Sequence, residues 1–265
     1  MIHLVIDSYG CSTDRINNLM DVYEIINNIV NTMGVDAIMP PQLVPYYYCK
    51  DPEDTGISAF VLLKGGHFTI HTFPQYGCYF ADLLYDGRVS ASAIEALLRR
   101  EFPCESFFIK RIDRDEFDSN DMGMYQTCDF GPHYMIKSKL DHVPTIDEYM
   151  HTLDSIPYKV NMHPITRPCV LNDTISAPSY LSGIILIAES HIAMHYSYKT
   201  GEVIMDIFSC KKVDEDKYVS MMEALFPSYT DVLIKRGRKN EERRSTQEQK
   251  YSDHSRWQNA IVFNR

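Results

Sequence analysis

Tyr180-Leu-Ser-Gly-Ile-Ile-Leu-Ile-Ala-Glu-Ser-His-Ile-Ala-Met-His195 decides the fold, because the chain carries a second version of it. In Gly56-Ile-Ser-Ala-Phe-Val-Leu-Leu-Lys-Gly-Gly-His-Phe-Thr-Ile-His71, Ser58, His67 and His71 match Ser182, His191 and His195 at one offset, 124 (182 minus 58). The offset holds without a gap through Asp82 and Asp206, then through Phe102-Pro103 and Phe226-Pro227. Upstream, His3-Leu-Val-Ile resembles His133-Tyr-Met-Ile. Chance likeness between two β-rich segments does not keep one offset through several identical polar positions. The 265 residues therefore read as one unit of roughly 110 residues written twice.

Working outward, His3–Ser8 alternates and is β-rich, which predicts a strand. Ser12 can cap a helix whose apolar positions Ile16, Leu19, Met20, Tyr23, Ile26, Ile29 and Val30 keep helical spacing, with Gly34 as its stop. Ala59–Leu63, His67–Phe73 and Cys78–Leu84 read as three strands between glycine or proline turns. Ser90 can cap a second helix, with Ile94, Leu97 and Leu98 on one face, and Ser106–Ile112 reads as a further strand. The second unit repeats this order, with helices near Thr145–Leu153 and Asp214–Leu225. Successive strands joined by short turns predict an α+β fold: two tandem antiparallel sheets, each with helices on one face. Asp113–Gly131 is the expected connection and Arg236–Arg256 a charged surface tail.

Composition narrows the classes. Hydrophobic residues at 45% and charged residues at 23% fit an ordinary globular chain with a sizeable core. The longest apolar run, near Tyr180–Ala188, is far shorter than the roughly 20 residues a membrane helix needs. Met1–Gly10 has no basic stretch ahead of an apolar core, which predicts no signal peptide. Net charge is −10, and Lys235–Arg256, with eight basic and four acidic residues, leaves about −14 elsewhere (−10 minus +4). An acidic body argues against nucleic acid as the main partner and suits a small cationic amine. Seven cysteines without paired spacing predict reduced thiols in a cytoplasm, and no CxxC marks a zinc site.

The two copies differ where chemistry can sit. The first has Lys64-Gly65-Gly66-His67 and the second Ala188-Glu189-Ser190-His191. After the next strand the first has Asp86 and the second Cys210. One copy therefore carries a hydroxyl and a thiol that the other lacks. His191 and His195 could be read as an HxxxH metal pair, but that needs a helix. On a strand, residues four apart are separated by roughly 13 Å, and the β-rich flanks favour a strand.

Glu189-Ser190-His191 with His195, followed by Asp206-Ile-Phe-Ser-Cys210, resembles the prokaryotic S-adenosylmethionine decarboxylase proenzyme family. Its hallmark is Glu-Ser-His, a second His five residues after the Ser, and an Asp-hydrophobic-Phe-Thr/Ser-Cys strand. The first copy matches in His67-Phe-Thr-Ile-His71-Thr-Phe-Pro74, without the Ser and the Cys. The likeness covers nearly all of both units and excludes the connection and the tail. It implies self-cleavage between Glu189 and Ser190, which turns Ser190 into a pyruvoyl group, the cofactor; neither a metal nor pyridoxal phosphate is implied. That group would form a Schiff base with the substrate amine and accept the electrons released with carbon dioxide. The likeness further implies that Cys210 is the proton donor and that His195 and Ser182 serve processing.

Single-unit relatives work as dimers, so the duplicated chain implies an internal pseudo-dimer with one catalytic site, and a further homodimer stays open. Residues 1–115 are expected to form the repeat without the processing serine, 116–130 a linker, 131–238 the processing repeat and 239–265 the tail. Tyr46, Tyr47 and Tyr48 are candidates for a substrate wall, and so is His71, with an ordinary structural role equally open for each. The family's Thr-Trp/Phe-Pro-Glu becomes Thr72-Phe73-Pro74-Gln75 in the first copy and Tyr196-Ser197-Tyr198-Lys199 in the second. Neither keeps the Glu associated with the nucleoside. Three readings follow: a decarboxylase of S-adenosylmethionine for polyamine synthesis, the same chemistry on arginine or ornithine, or a non-catalytic partner that retains the fold.

Overall fold

A computed structural model describes residues 1–46, 52–116, 131–226, 228–236 and 262–264. The expected 116–130 linker and 239–265 tail therefore lie outside the described residues, apart from Glu116 and Val262–Asn264. Contacts divide the chain into two compact units, Met1–Glu116 with Leu171–Ser182 and Phe117–Val170 with Gly183–Arg265.

The first half contains β1 (Ile2–Tyr9), α1 (Thr13–Ile16), α2 (Leu19–Met33), β2 (Gln42–Tyr46), β3 (Gly56–Leu63), β4 (Gly66–Phe73), β5 (Cys78–Tyr85), α3 (Ala91–Glu101) and β6 (Ser106–Asp113). The second contains β7 (Gly131–Lys139), α4 (Ile146–Lys159), β8 (Cys169–Asn172), β9 (Tyr180–Ile187), β10 (Ser190–Ser197), β11 (Glu202–Ser209), α5 (Glu215–Leu225), β12 (Tyr229–Arg236) and β13 (Val262–Asn264). Strands β9, β10, β11 and helix α5 begin and end 124 residues after β3, β4, β5 and α3 (180 minus 56, 190 minus 66, 202 minus 78, 215 minus 91). The sheets share one order: β2-β3-β4-β5-β1-β6, and β8-β9-β10-β11-β7-β12 with β13 added at the edge. The pairings are antiparallel, with Ile6 opposite Ala81 and Ala81 opposite Ile70. The duplication is thus a duplication of topology.

Strand periodicity sorts the side chains onto two faces. In the first sheet Leu4, Ile6, Ala59, Val61, Phe68, Ile70, Ala81 and Leu83 form one core with Ile25, Ile26 and Ile29 of α2 and Ile94 and Leu98 of α3. In the second, Tyr134 stacks on Tyr218 of α5 at 4.2 Å, and the Tyr218 hydroxyl donates to Asp231 at 2.8 Å. The other face of the first sheet is also buried, although it carries His3, Asp7, His67, Thr69, His71 and Asp82. The Ala188–Glu189 turn stands at the end of such strands, between β9 and β10.

Several local expectations are corrected. The single helix from Ser12 is two: α1 stops at Ile16, and α2 starts afresh at Leu19. Ser12 makes no side-chain cap, whereas Asn18 accepts from the Met20 and Asp21 amides. Two asparagines in succession, 17 and 18, offer the backbone side-chain partners and favour the interruption. Helix α4 continues past Leu153 to Lys159 through Pro157, which lies close to its end. The tail supplies β13, which pairs with Thr230–Val232 of β12.

Candidate active site

Two residues, Ala188 and Glu189, turn the chain from β9 into β10, and Ser190 is the first residue of β10, opposite Ser209. Ser190 has φ +144°, a torsion that a side chain normally forbids and that costs about 1–3 kcal/mol. Its hydroxyl is buried and has no hydrogen-bond partner among the described residues. Such an orphan is costly unless it has a use. The preceding carbonyl, that of Glu189, accepts the Cys210 amide at 2.7 Å. That bond polarises the carbonyl next to the Ser190 hydroxyl.

The Glu189 side chain is 4% exposed. Its carboxylate accepts the His163 backbone N–H at 3.0 Å and meets His163 Nδ1 at 2.9 Å. An ionised carboxylate can only accept, so Nδ1 carries the hydrogen. The Ala188 amide in turn donates to the His163 carbonyl at 2.7 Å. Gly131, at the start of β7, lets the other side close up. A Cβ there would stand 1.9 Å from the Ser209 carbonyl oxygen and 3.0 Å from Cys210 Cα.

His191 and His195 both lie on β10, where His191 faces Phe208 and His195 faces Ile204 across the ladder. The HxxxH pair thus lies on a strand, as its flanks predict. Both rings are buried, as is Ser182 on β9. Around His191 the unit packs His133, ring centroids 6.3 Å apart, and Phe208, with the Arg236 guanidinium 4.4 Å above the Phe208 ring. His133 Nε2 stands 3.7 Å from Asp206. Cys210 is a partly exposed residue.

The first unit has the same frame without the hydroxyl and the thiol. The Asp86 amide donates to the Gly65 carbonyl at 3.0 Å, and the Lys64 amide donates to the Asp36 carbonyl at 2.9 Å. His71 lies in this unit, with Nδ1 2.9 Å from the Ser58 hydroxyl. Tyr46 ends β2, and Tyr47 and Tyr48 lie outside the described residues. Sequence reasoning missed His163. It is 26 residues from Glu189, in a loop with no motif, and the only signal is positional: its carbonyl plays the part of Asp36's.

A model described as S-adenosylmethionine decarboxylase matches residues 2–115 and 137–236, both repeats. The chain belongs to the S-adenosylmethionine decarboxylase family. The proenzyme of that name from Aquifex aeolicus is 28% identical over 115 residues, 43% of this chain and 76% of its own length. Its counterpart from Thermoplasma volcanium is 31% identical over 104 residues, 38% of this chain and 75% of its own. That of Clostridium botulinum strain Langeland is 25% identical over 117 residues, 44% of this chain and 95% of its own. Each relative therefore matches about one repeat. A crystal structure of the Aquifex aeolicus adenosylmethionine decarboxylase aligns with 44% of this chain and 92% of its own, at 19% identity and a TM-score of 0.38. Among the described residues no helix is long and apolar enough to cross a membrane.

Proposed function

We propose that this chain is the proenzyme of a self-processing, pyruvoyl-dependent decarboxylase of S-adenosylmethionine, serving polyamine synthesis in the cytoplasm. The observation that carries the reading is Ser190: a buried hydroxyl with no hydrogen-bond partner among the described residues, on a torsion of +144°, directly after a carbonyl held by the Cys210 amide. These residues fit the formation of a pyruvoyl group, because the serine that must be consumed is the one held under strain.

The chemistry balances on the chain's own atoms. Ser190 Oγ attacks the Glu189 carbonyl carbon, a C–O bond forms, the Glu189–Ser190 C–N bond breaks, and the hydroxyl proton passes to the freed nitrogen. Loss of the Ser190 Cα proton then breaks the Cβ–Oγ bond. Glu189 leaves as a carboxylate and residue 190 becomes dehydroalanine. Water hydrolyses that enamine and releases ammonia, leaving the pyruvoyl group. In turnover this group supplies a ketone for the substrate amine and an adjacent carbonyl that draws in the electrons released with carbon dioxide. Cys210 returns the proton to the substrate carbon, a role that suits a thiol on a partly exposed residue. Ser182 and His195 handle protons during processing. Their counterparts Ser58 and His71, hydrogen-bonded at 2.9 Å, support that pairing.

A second reading, arginine or ornithine as substrate, is favoured by one feature: Gln75 and Lys199 stand where the family has its Glu. Intact mass under denaturing conditions tests the common core. Cleavage yields fragments of 189 and 76 residues (265 minus 189), and a single uncut chain would sink both readings in favour of a non-catalytic partner. Carbon dioxide release from S-adenosylmethionine, arginine and ornithine then separates the substrates.

A further inference from the structure

Resting on the self-cleavage reading, we propose that His163 is a positioning residue for the cut: its ring and backbone grip the Glu189 carboxylate and hold the scissile carbonyl in place. The His163 backbone N–H reaches Oε2 at 3.0 Å and Nδ1 reaches Oε1 at 2.9 Å, so both oxygens of one carboxylate are taken by one residue. The His163 carbonyl accepts the Ala188 amide, one residue earlier. Both residues of the turn are thus fixed to the same partner. The next constraint along the chain is the Glu189 carbonyl itself, on the Cys210 amide.

The exposures fit this division of labour. The carboxylate is 4% exposed and the His163 ring 80% exposed. A carboxylate out of water needs donors, and charge-assisted donors are the strong ones. The exposed ring supplies one through Nδ1. Glu189 cannot rotate without losing both bonds, and rotation of Glu189 would move its carbonyl relative to Ser190 Oγ. Attack by a neighbouring hydroxyl is sensitive to such displacement, of which about 1 Å can cost a hundredfold in rate.

The first unit supplies the contrast. There the backbone half of the arrangement is kept, in Lys64 donating to the Asp36 carbonyl and Asp86 donating to the Gly65 carbonyl. The side-chain half is gone, since Gly65 has no carboxylate to hold. The grip occurs in the unit that has a hydroxyl to use it.

The test follows cutting in time after cell-free synthesis of the full chain, by intact mass. His163→Ala should slow the cut on the order of tenfold, the scale of a charge-assisted bond. His163→Asn, whose amide N–H can stand where Nδ1–H stands, should restore most of that rate. In Glu189→Ala, adding His163→Ala should slow the cut no further, because the two residues act as one device. In the uncleavable Ser190→Ala chain, His163→Ala should leave the melting midpoint within about 2 °C, the behaviour of a surface position. Cutting at the full rate in His163→Ala, equal slowing in the Glu189→Ala background, or a collapse of the melting midpoint would each overturn the role. A wild-type chain that never cuts would instead overturn the self-cleavage reading, and this inference with it.

Discussion

The Lys64-Gly65 and Ala188-Glu189 turns join corresponding strands and make corresponding backbone bonds, yet they place their left-handed torsion on different residues. In the first it falls on Gly65, at φ +73°, where no side chain objects. In the second it falls one position later, on Ser190, at +144°. The frame is shared, and what differs is whether the positive torsion falls on a glycine or on a serine with a buried hydroxyl. Strain of about 1–3 kcal/mol is tolerated only where surrounding structure over-determines it. Here that structure is identifiable: the His163 grip on Glu189, the Cys210 amide on its carbonyl, and Gly131 allowing β7 to close against Ser209.

The largest break of the comparison is Ser190→Ala. It makes the second turn as inert as the first, and intact mass should show only the 265-residue chain, with no decarboxylation. Next in size is Cys210→Ala, which keeps the amide on the Glu189 carbonyl and removes only the thiol. The chain should still cut, while turnover falls by about 10²–10⁴-fold, the usual worth of a positioned proton donor. Unchanged turnover would remove Cys210 from that role. Substitution is the right tool, because thiol reagents would not single out Cys210. Cys104 in the first unit is partly exposed and is pulled down to about 7, chiefly by a hydrogen bond from the Cys11 thiol. At neutral pH a reagent should modify Cys104 as well.

Much of this was legible in the sequence because it lies on the two halves' shared offset. Strands β3 to β5 and β9 to β11 follow from Ser58/Ser182, His67/His191 and Asp82/Asp206, and the Ser190 hydroxyl and Cys210 thiol stand out because Gly66 and Asp86 replace them. What stayed hidden lies off that offset. Strands β2 and β8 are five and four residues long, and Pro45 within β2 speaks against a strand by composition alone. The break between α1 and α2 is decided by Asn18 winning the cap over Ser12. His163 is invisible because its meaning comes from a contact across 26 residues. Alternation locates side chains on faces but does not say which loop donates to a buried carboxylate.

A sharper test asks whether serine alone makes the second turn special. Gly66→Ser puts the missing hydroxyl into the first repeat. Its Cβ would stand 1.9 Å from the Leu84 carbonyl oxygen and 3.0 Å from Tyr85 Cα, both backbone atoms that cannot step aside cheaply. The expected result is no cut between residues 65 and 66 and a loss of about 1–3 kcal/mol, as for overpacking. Thermal unfolding should show it as a fall of several degrees. A chain cut after residue 65 would break the comparison outright, since the serine would then suffice without the torsion or the grip.

The smallest expected effect separates the two halves by pH. Helix α2 in the first half is capped by Asn18, which accepts the Met20 and Asp21 amides and does not titrate. Helix α4 in the second half begins with a capping box: Thr145 accepts the Glu148 amide, and Glu148 accepts the Thr145 amide at 2.8 Å and its hydroxyl at 2.9 Å. The Thr145 amide and hydroxyl hold the Glu148 carboxyl below its ordinary range. A depressed acid contributes stability that is present above its unfolded value, about 4.3 for glutamate, and lost as pH falls through the folded value. Acidification below that range should therefore fray the first turn of α4 and leave the α2 cap intact. Hydrogen exchange followed from about pH 6 down to about pH 2, after correction for intrinsic rates, should show α4 amides losing protection on the order of fivefold, the scale of a lost cap. The α2 amides should keep theirs, and Glu148→Gln should remove the difference. Equal loss in both helices would mean that acid acts on the fold as a whole and not through this cap.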